Sequence, residues 1–182
     1  METLPSTHPV HPGHDDGFSL LVHQHMEGVF RVAMGFVHQQ QDAEDIAQEV
    51  FVKAWQGLSG FDERSTLRTW LYRIAIHESL NFLKKKKRRR QWEKWVTLFG
   101  GETVSAPDPD RLLWQEEQLL IKEVLDQLSD KQKQAFVLRE YEDLSQRQIA
   151  EIMGLSEGAV EQLLIRARNH LQKQRKKFSA DP

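Results

Sequence analysis

Apolar side chains recur every three or four residues along much of the chain, which is the period of a helix that buries one face. They predict a helix over residues 18–37, a second that starts at Asp42 and runs up to a turn-rich loop at residues 57–62, and a third from about residue 65 towards residue 90 that residues 91–99 either extend or follow as a short helix. Asp42 can cap the second helix at its start. The apolar stripes are formed by Val22, Met26, Val29, Phe30, Ala33 and Val37, by Ile46, Val50, Phe51, Ala54, Trp55 and Leu58, and by Leu67, Trp70, Leu71, Ile74 and Ala75.

A break in the helical pattern divides the chain. Residues 100–110 begin with two glycines and contain two prolines, which a helix does not pass through easily, so they are expected to form a flexible linker. Helical periodicity resumes over residues 111–128, whereas residues 1–17 are rich in proline, lack periodicity and are expected to be a flexible tail. No stretch alternates as a strand does. The sequence therefore predicts an all-α fold of two small helical bundles, at residues 18–99 and 111–178.

The second bundle contains the spacing of a helix-turn-helix. A short helix over residues 146–153 is expected to stop at Gly154, because glycine readily adopts the left-handed conformation that a sharp turn needs. Ser156 can then cap the next helix, and Ala150 is small where the two helices must approach closely. Two further helix starts fit capping boxes, namely Ser129 with Gln132 and Ser145 with Gln148.

Charge is unevenly distributed, although the formal net charge is only −2. Nine Lys and Arg residues against two acids lie between residues 73 and 94, and six without an acid lie between residues 162 and 177. Two separate basic patches indicate two contacts with one polyanion, with solvated helix ends as the alternative. On the second helix of the helix-turn-helix, the side chains placed to reach DNA bases are Glu157, Glu161, Gln162 and Arg166.

Other classes of protein are disfavoured by composition and by missing motifs. The chain has no cysteine, which removes disulfides and thiol chemistry. No apolar run approaches the roughly 18 residues of a membrane span, and the first residues do not resemble a secretory signal, so a cytoplasmic location is expected. No phosphate-binding loop or nucleophile motif is present, so neither enzymatic activity nor a cofactor is predicted. His8, His11 and His14 could ligate a metal, but they lie in the expected tail and no metal site is predicted.

Two motifs together carry a resemblance to a known family. The segment Asp42-Ala-Glu-Asp-Ile-Ala-Gln-Glu-Val-Phe-Val-Lys-Ala-Trp55 resembles the polymerase-binding helix of region 2 in bacterial sigma factors. Residues 61–75 resemble the part of region 2 that melts the promoter and reads its −10 element. The second bundle resembles region 4. A chain with only these two regions is similar to extracytoplasmic-function (ECF) sigma factors, over roughly residues 18–175.

The resemblance implies that the protein binds core RNA polymerase and directs it to promoter DNA, and that an anti-sigma factor, often membrane-anchored, holds it inactive. It assigns polymerase binding to the acidic and polar face of the second helix, which comprises Asp42, Glu44, Asp45, Gln48 and Glu49. It assigns the −10 element to Phe61, Asp62, Arg73, His77, Asn81, Lys84 and Lys85. It assigns the −35 element to Ser156, Glu157, Glu161, Gln162, Arg166 and Arg168.

Aromatic and basic side chains give the −10 assignment a physical basis, because unpaired bases favour stacking platforms in a basic groove. Phe61, Trp70 and Tyr72 offer rings, and Trp70 is expected to belong to the core because it lies on the apolar stripe. The chain departs from the family at His77, where many members have Asn. It also departs at residues 161–163, where many members have a basic residue, Ser and Arg.

Two other functions fit parts of the sequence. A free-standing helix-turn-helix repressor or activator would bind duplex DNA without polymerase, usually as a symmetric dimer. A protein-interaction module would use the acidic helix and the basic tail to bind other proteins, and would show no salt-dependent DNA binding. The motif at residues 42–55 together with the motif at residues 61–75 favours the sigma factor over both.

Overall fold

The computed structural model describes residues 12–61, 64–98 and 122–178, and these contain helices and turns but no strand. In the first bundle, α1 spans Pro12–Val37, α2 spans Gln40–Gly57, a 3-10 turn follows at Leu58–Gly60, and α3 spans Leu67–Leu98. In the second, residues 122–126 are helical, α4 spans Asp130–Glu140, α5 spans Gln146–Met153 and α6 spans Glu157–Phe178. The predicted all-α fold is confirmed.

The first two helices begin earlier than their patterns predict. α1 starts at Pro12, so residues 12–17 are helical and the expectation of a tail is wrong for them. Proline suits a first helical turn, since its missing N–H would have no intrahelical acceptor there. α2 starts at Gln40 with Gln39 as its N-cap residue and no side-chain cap, so Asp42 lies inside the first turn and does not cap the helix.

The third helix is a single rod that continues through the basic run to Leu98, so residues 91–98 extend it and do not form a separate helix. Lys, Arg, Gln and Glu are good helix formers, and no glycine or proline interrupts them. The expected linker at residues 100–110 and the expected helix start at residue 111 lie outside the described residues. Among the described residues, no helix combines the length and apolar character that a membrane span requires.

The first bundle buries most of the predicted apolar stripes of α1, α2 and α3. Phe36, Val50 and Leu71 are each completely buried in its core. Burial of such a side chain stabilises the fold by about 1.5–3 kcal/mol relative to leaving it exposed. Two residues that the apolar stripes predicted to be buried are exposed instead, Met26 by 36% and Trp55 by 42%.

The apolar core continues from the first bundle into the second. Val137 on α4 packs against α1 at Gly35, where an added Cβ would lie 2.6 Å from Val137 Cγ1. Leu138, Ile149 and Val160 extend the same cluster among α4, α5 and α6. Glycine at position 35 therefore permits the close approach of the two bundles.

A left-handed residue ends α1 beside the second bundle. His38 has a φ of 55°, a conformation that His and Asn adopt more readily than most residues. Its ring is buried, and Nε2 makes no hydrogen bond within the part of the chain that the structure describes. Burial, assisted by the positive charge of Lys133, lowers the pKa of His38 to about 4; Asp126 opposes this shift and Lys122 adds to it. The imidazole is therefore neutral at pH 7.

Candidate nucleic-acid interface

The helix-turn-helix forms as its residues predict. Ser145 Oγ accepts a hydrogen bond from the Gln148 backbone N–H at 3.3 Å, and the Gln148 side chain accepts one in return from the Ser145 N–H at 2.9 Å. α5 ends at Gly154 with a φ of 64°, and Ser156 Oγ caps α6 by accepting from the Ala159 N–H at 3.2 Å. Both caps and the left-handed turn are confirmed, and they fix the angle between α5 and α6.

The face of α6 that points away from the core carries the predicted −35 residues. Val160, Leu164 and Ala167 are buried on the inner face. The exposed residues on the outer face are Glu157, Glu161, Gln162, Arg166 and Arg168. Arg168 also pairs with Glu140 at 3.3 Å, and Ser156 is exposed at the cap.

A groove of about 490 Å³ runs between α5 and α6 on this side, and its lining includes Glu157, Glu161 and Arg168 together with two residues that the sequence analysis missed. These are Arg147, which is exposed near the start of α5, and Arg139 on α4. The first helix of a helix-turn-helix crosses the DNA backbone, so basic residues near its start are suited to phosphate contacts. The sequence did contain a signal for Arg147, because the helix-turn-helix spacing places this residue near the start of the first of the two helices.

The predicted −10 residues are distributed along α3 and the loop before it. Trp70 is half-buried and packs against the edge of the apolar core, as expected, and its ring lies 5.3 Å from the half-buried ring of Phe61. Asp62 lies outside the described residues. His77 and Asn81 are exposed one turn apart on α3, with 3.2 Å between Asn81 Nδ2 and His77 Nδ1. Lys85 is exposed, as is Lys84, whose Nζ lies 3.9 Å from an Asp130 carboxylate oxygen.

Two of the candidate side chains on α3 are engaged with the second bundle. The Arg73 guanidinium donates hydrogen bonds to the backbone oxygens of Glu151 at 2.7 Å and Ile152 at 3.1 Å, at the carboxyl end of α5. Tyr72 is buried and its hydroxyl donates to Glu142 on the other bundle. Its ring is therefore not available to a base in this arrangement, which corrects the expectation. Burial, reinforced by the hydrogen bond to Glu142, raises the pKa of Tyr72 to about 12.

A buried carboxylate lies at the centre of the contact between the bundles. The Glu142 side chain is completely buried and accepts hydrogen bonds from Arg31 Nε at 2.7 Å and Arg68 Nη2 at 3.3 Å, in addition to Tyr72. The hydrogen bond from Arg31 raises the pKa of that guanidinium. Gly28 makes room for the Tyr72 hydroxyl, since an added Cβ would collide with it. Sequence reasoning missed this network, because nothing local marks Glu142 as buried.

The predicted polymerase-binding face of α2 is largely exposed. Glu44, Asp45, Gln48 and Glu49 all point to solvent. Asp42 differs, because its side chain is only 16% exposed and its carboxylate pairs with Lys86 on α3 at 2.9 Å. The same side of α2 also exposes Val52 by 50% and Trp55 by 42%. Sequence reasoning placed Trp55 in an apolar stripe and did not consider Val52, although an apolar residue seven after Asp45 falls on the same helical face.

Comparison with known proteins places both bundles in one family. The family model for Sigma-70 region 2 matches residues 21–89, and that for Sigma-70 region 4 matches residues 118–171. The chain is 34% identical over 172 residues to the RNA polymerase sigma-H factor of Pseudomonas aeruginosa, covering 90% of this chain and 89% of that protein. It is 31% identical over 166 residues to the ECF RNA polymerase sigma-E factor of Escherichia coli K12, covering 87% of this chain and 86% of that protein. The fold is similar to that of the sigma factor RpoE of Bartonella quintana, solved with the anti-sigma factor NepR, with a TM-score of 0.64, 25% identity, and coverage of 92% of this chain and 99% of that chain.

Proposed function

Because the chain belongs to the sigma-70 family and is an RNA polymerase sigma factor of the ECF type, we propose that its surface divides into three binding sites, for core polymerase, the −10 element and the −35 element. We assign residues 18–99, together with the helical residues 12–17 that precede them in α1, to the region 2-like domain, residues 100–110 to the linker and residues 111–178 to the region 4-like domain. The protein acts in the cytoplasm as a specificity subunit that starts transcription of a particular set of genes.

The polymerase-binding site is the exposed face of α2. Its charged part, Glu44, Asp45, Gln48 and Glu49, is followed by the exposed apolar side chains of Val52 and Trp55. Protein interfaces commonly combine an aromatic or aliphatic anchor with a polar rim. Asp42 supports this site indirectly, since its ion pair with Lys86 holds α2 against α3.

The −10 site is formed by the Phe61–Trp70 pair and by the exposed side of α3 that follows. An unpaired base needs a shaped, partly apolar site, because extruding it from the stack costs a few kcal/mol. The two rings, 5.3 Å apart, provide apolar surface for that base. His77 and Asn81 offer hydrogen-bonding groups on the same side of α3, and Lys84 and Lys85 offer positive charge for the phosphates.

The −35 site is the outer face of α6, and its exposure beside the fixed turn at Gly154 is the observation that carries the proposal. Gln162 suits adenine in the major groove, and Glu157 and Glu161 can accept from the amino group of cytosine. Arg166 and Arg168 are placed for bases or phosphates further along the helix. The preferred −35 sequence is therefore expected to differ from that of members with a basic residue, Ser and Arg at positions 161–163.

Regulation by an anti-sigma factor is supported by the compact arrangement of the two bundles. Arg73, a −10 residue, is occupied by the backbone of α5, and Tyr72 is covered by Glu142. Full use of the −10 surface thus requires the bundles to separate. The similar structure of the Bartonella quintana factor holds an anti-sigma factor. A protein that binds both bundles and keeps them together would hold this sigma factor inactive.

The experiment that tests the proposal measures affinity for sigma-free core polymerase and promoter preference in parallel. The double variant Asp45→Ala/Gln48→Ala should lower core affinity at least about tenfold, since truncating a central polar pair removes more than 1.4 kcal/mol. Glu123→Ala, which changes an exposed carboxylate on the second bundle, is the control and should bind core normally. Glu161→Ala/Gln162→Ala should alter −35 preference at unchanged core affinity. Normal core affinity in the first variant, or a core defect in the last, would contradict the assignment.

A further inference from the structure

A second cavity, which we call the junction cavity, lies between the two bundles. Its volume is about 680 Å³, and it shares no lining residue with the groove between α5 and α6. The first bundle contributes the end of α1, the start of α2 and the part of α3 between Leu80 and Gln91, and the second contributes residues between Lys122 and Lys133. Binding sites for small molecules measure about 300–1,000 Å³ and often lie between domains. The junction cavity is therefore large enough for a small organic ligand.

The lining of the junction cavity is basic. The described residues that line it include six cations, which are Lys84, Lys86, Lys87, Arg90, Lys122 and Lys133. They also include three carboxylates, so the formal charge of this lining is six positive less three negative, or +3. Each carboxylate lies beside a lysine, namely Asp42 beside Lys86 at 2.9 Å, Asp126 beside Lys133 at 2.6 Å and Asp130 beside Lys84 at 3.9 Å. Because the negative charges are compensated locally, the cavity favours an anionic ligand.

The wall formed by the second bundle contains buried polar groups. The Lys133 side chain is only 6% exposed, with its Nζ 2.6 Å from an Asp126 carboxylate oxygen. The lining residue Val37 precedes His38, whose ring is affected by the charges of Lys133, Asp126 and Lys122. The buried Nε2 of His38 has no hydrogen-bond partner among the described residues, whereas buried polar atoms normally have one. A buried cation beside an unpaired ring nitrogen is typical of a polar binding site and not of a packing defect.

Another part of the junction cavity is apolar. Its aliphatic lining residues are Val37, Leu80, Leu83 and Leu128. Val37 and Leu128 are buried, and the two leucines of α3 are half-buried. A simple inorganic anion would leave this aliphatic surface uncovered. A ring attached to phosphate groups would cover it and would also reach the cations, which favours an organic phosphate.

We propose that the junction cavity binds a nucleotide with at least two phosphate groups. The base packs on the aliphatic part, and the phosphates accept charge-assisted hydrogen bonds from the lysines and Arg90. A nucleoside diphosphate carries about three negative charges at pH 7, because the second pKa of a terminal phosphate is about 6. This charge matches the +3 of the described lining.

A ligand in the junction cavity would hold the bundles together, because its contacts come from both of them. A ligand that binds only the docked arrangement stabilises it by mass action. At a free concentration of 100 times the dissociation constant, the ratio of separated to docked chains falls about 100-fold. This consequence rests on the proposed function, in which the bundles must separate before the full −10 surface is available. The nucleotide would then lower the activity of the sigma factor.

Calorimetric titration of the full chain with ADP, GDP, pyrophosphate and adenosine tests the proposal. At least one of the two nucleotides should bind saturably with one molecule per chain. Pyrophosphate, which lacks the ring, should bind at least about tenfold more weakly, and adenosine, which lacks the phosphates, should bind more weakly still. Lys87→Ala and Lys122→Ala remove one lining cation from each bundle, and each should weaken nucleotide binding at least about fivefold.

Two further cations provide matched controls. Arg89 on α3 and Lys131 on α4 are exposed, and neither lines the junction cavity. Arg89→Ala and Lys131→Ala should therefore bind the nucleotide as wild type does, and equal helicity by circular dichroism shows that all four substitutions leave the fold intact. Absence of saturable binding by either nucleotide would overturn the proposal, as would pyrophosphate binding as tightly as the nucleotides. Equal losses in the cavity variants and the controls would also overturn it, since they would indicate a general attraction of polyanions to basic helices.

Energy transfer between dyes on the two bundles separates this inference from the proposed function. A saturating concentration of the nucleotide should enrich the docked population of the wild-type chain. At a concentration near the wild-type dissociation constant, the enrichment should be smaller in Lys87→Ala. A nucleotide that bound without changing this population would overturn the regulatory part of the inference. Failure of the wild-type chain to bind core polymerase would instead contradict the proposed function, while nucleotide binding would still support the assignment of the cavity.

Discussion

Replacing Glu142 with glutamine should loosen the contact between the two bundles. The substitution keeps the size of the side chain but removes the negative charge that Arg31 and Arg68 share. Removing one partner of a fully buried ion pair costs about 3–5 kcal/mol. The two arginines are 42% and 44% exposed, so solvent screens their interaction and a cost of about 2–3 kcal/mol is more realistic. A change of that size raises the population of separated bundles roughly 30- to 160-fold.

Single-molecule energy transfer between two dyes can measure this separation. The chain has no cysteine, so exposed positions such as Ser19 on α1 and Asn169 on α6 can each be changed to cysteine and labelled. Glu142→Gln should enrich a low-transfer population. Glu140→Gln is the matched control, because the Glu140 carboxylate pairs only at the surface with Arg168 at 3.3 Å and should contribute at most about 1 kcal/mol.

The reasoning would be refuted if Glu142→Gln and Glu140→Gln gave the same transfer distribution as wild type. A drop in the thermal stability of the second bundle alone would refute it too. Glu142 lies between the bundles, and its substitution should weaken their docking more than the folding of either. If the account is correct, the variant also binds single-stranded −10 DNA more readily in the presence of core polymerase, because Arg73, a proposed −10 residue, is released from α5 more often.

For three further substitutions, the structure determines whether the folded protein or the contact between the bundles should become more or less stable. Gly154→Ala places a side chain at a φ of 64° and should cost about 1–2 kcal/mol in thermal unfolding, whereas Gly158→Ala, at an open helical position, should be neutral or stabilise by up to about 1 kcal/mol. Gly35→Ala should favour separated bundles by about 1–3 kcal/mol in the same energy-transfer assay, because its Cβ would meet Val137. In wild type, the free energy of unfolding should decrease as the pH falls from about 6.5 to about 4. His38→Asn should abolish this decrease, which unfolding measured at a series of pH values would show. Because the folded-state pKa lies below the unfolded one, wild type is fully stabilised above pH 6.5, and a pH profile identical in the Asn variant would disprove the role of His38.

Local signals account for the parts of the fold that sequence could predict. The helix-turn-helix depends on Gly154 and on the caps at Ser145 and Ser156, and each acts within a few residues of itself. Apolar periodicity likewise located the helices, because burial of one face repeats with the helical turn. Helix ends were less predictable, as at Pro12, where a first helical turn tolerates proline and α1 begins before its apolar stripe.

Contacts between distant segments could not be read from periodicity. Glu142 is an acid in an acidic stretch of sequence. Its burial is explained by the hydrogen bonds that Arg31 and Arg68, which lie on the other bundle, donate to its carboxylate. Asp42 was grouped with the polymerase-binding residues because it belongs to an acidic face. In the structure its carboxylate pairs with Lys86 on α3, 44 residues further along the chain. Trp55 was taken for core since apolar residues usually are, yet it lies on the exposed side of α2.

The measurement that tests the central claim most directly is transcription by sigma-free core polymerase on a library of genomic fragments. The account predicts that adding the purified protein creates new transcript starts that share a two-part upstream motif. It further predicts that Glu161→Ala/Gln162→Ala shifts only the distal part of that motif, and that Asp45→Ala/Gln48→Ala reduces all starts together. An absence of new starts, with duplex DNA still bound without polymerase, would contradict the account and identify a free-standing helix-turn-helix regulator.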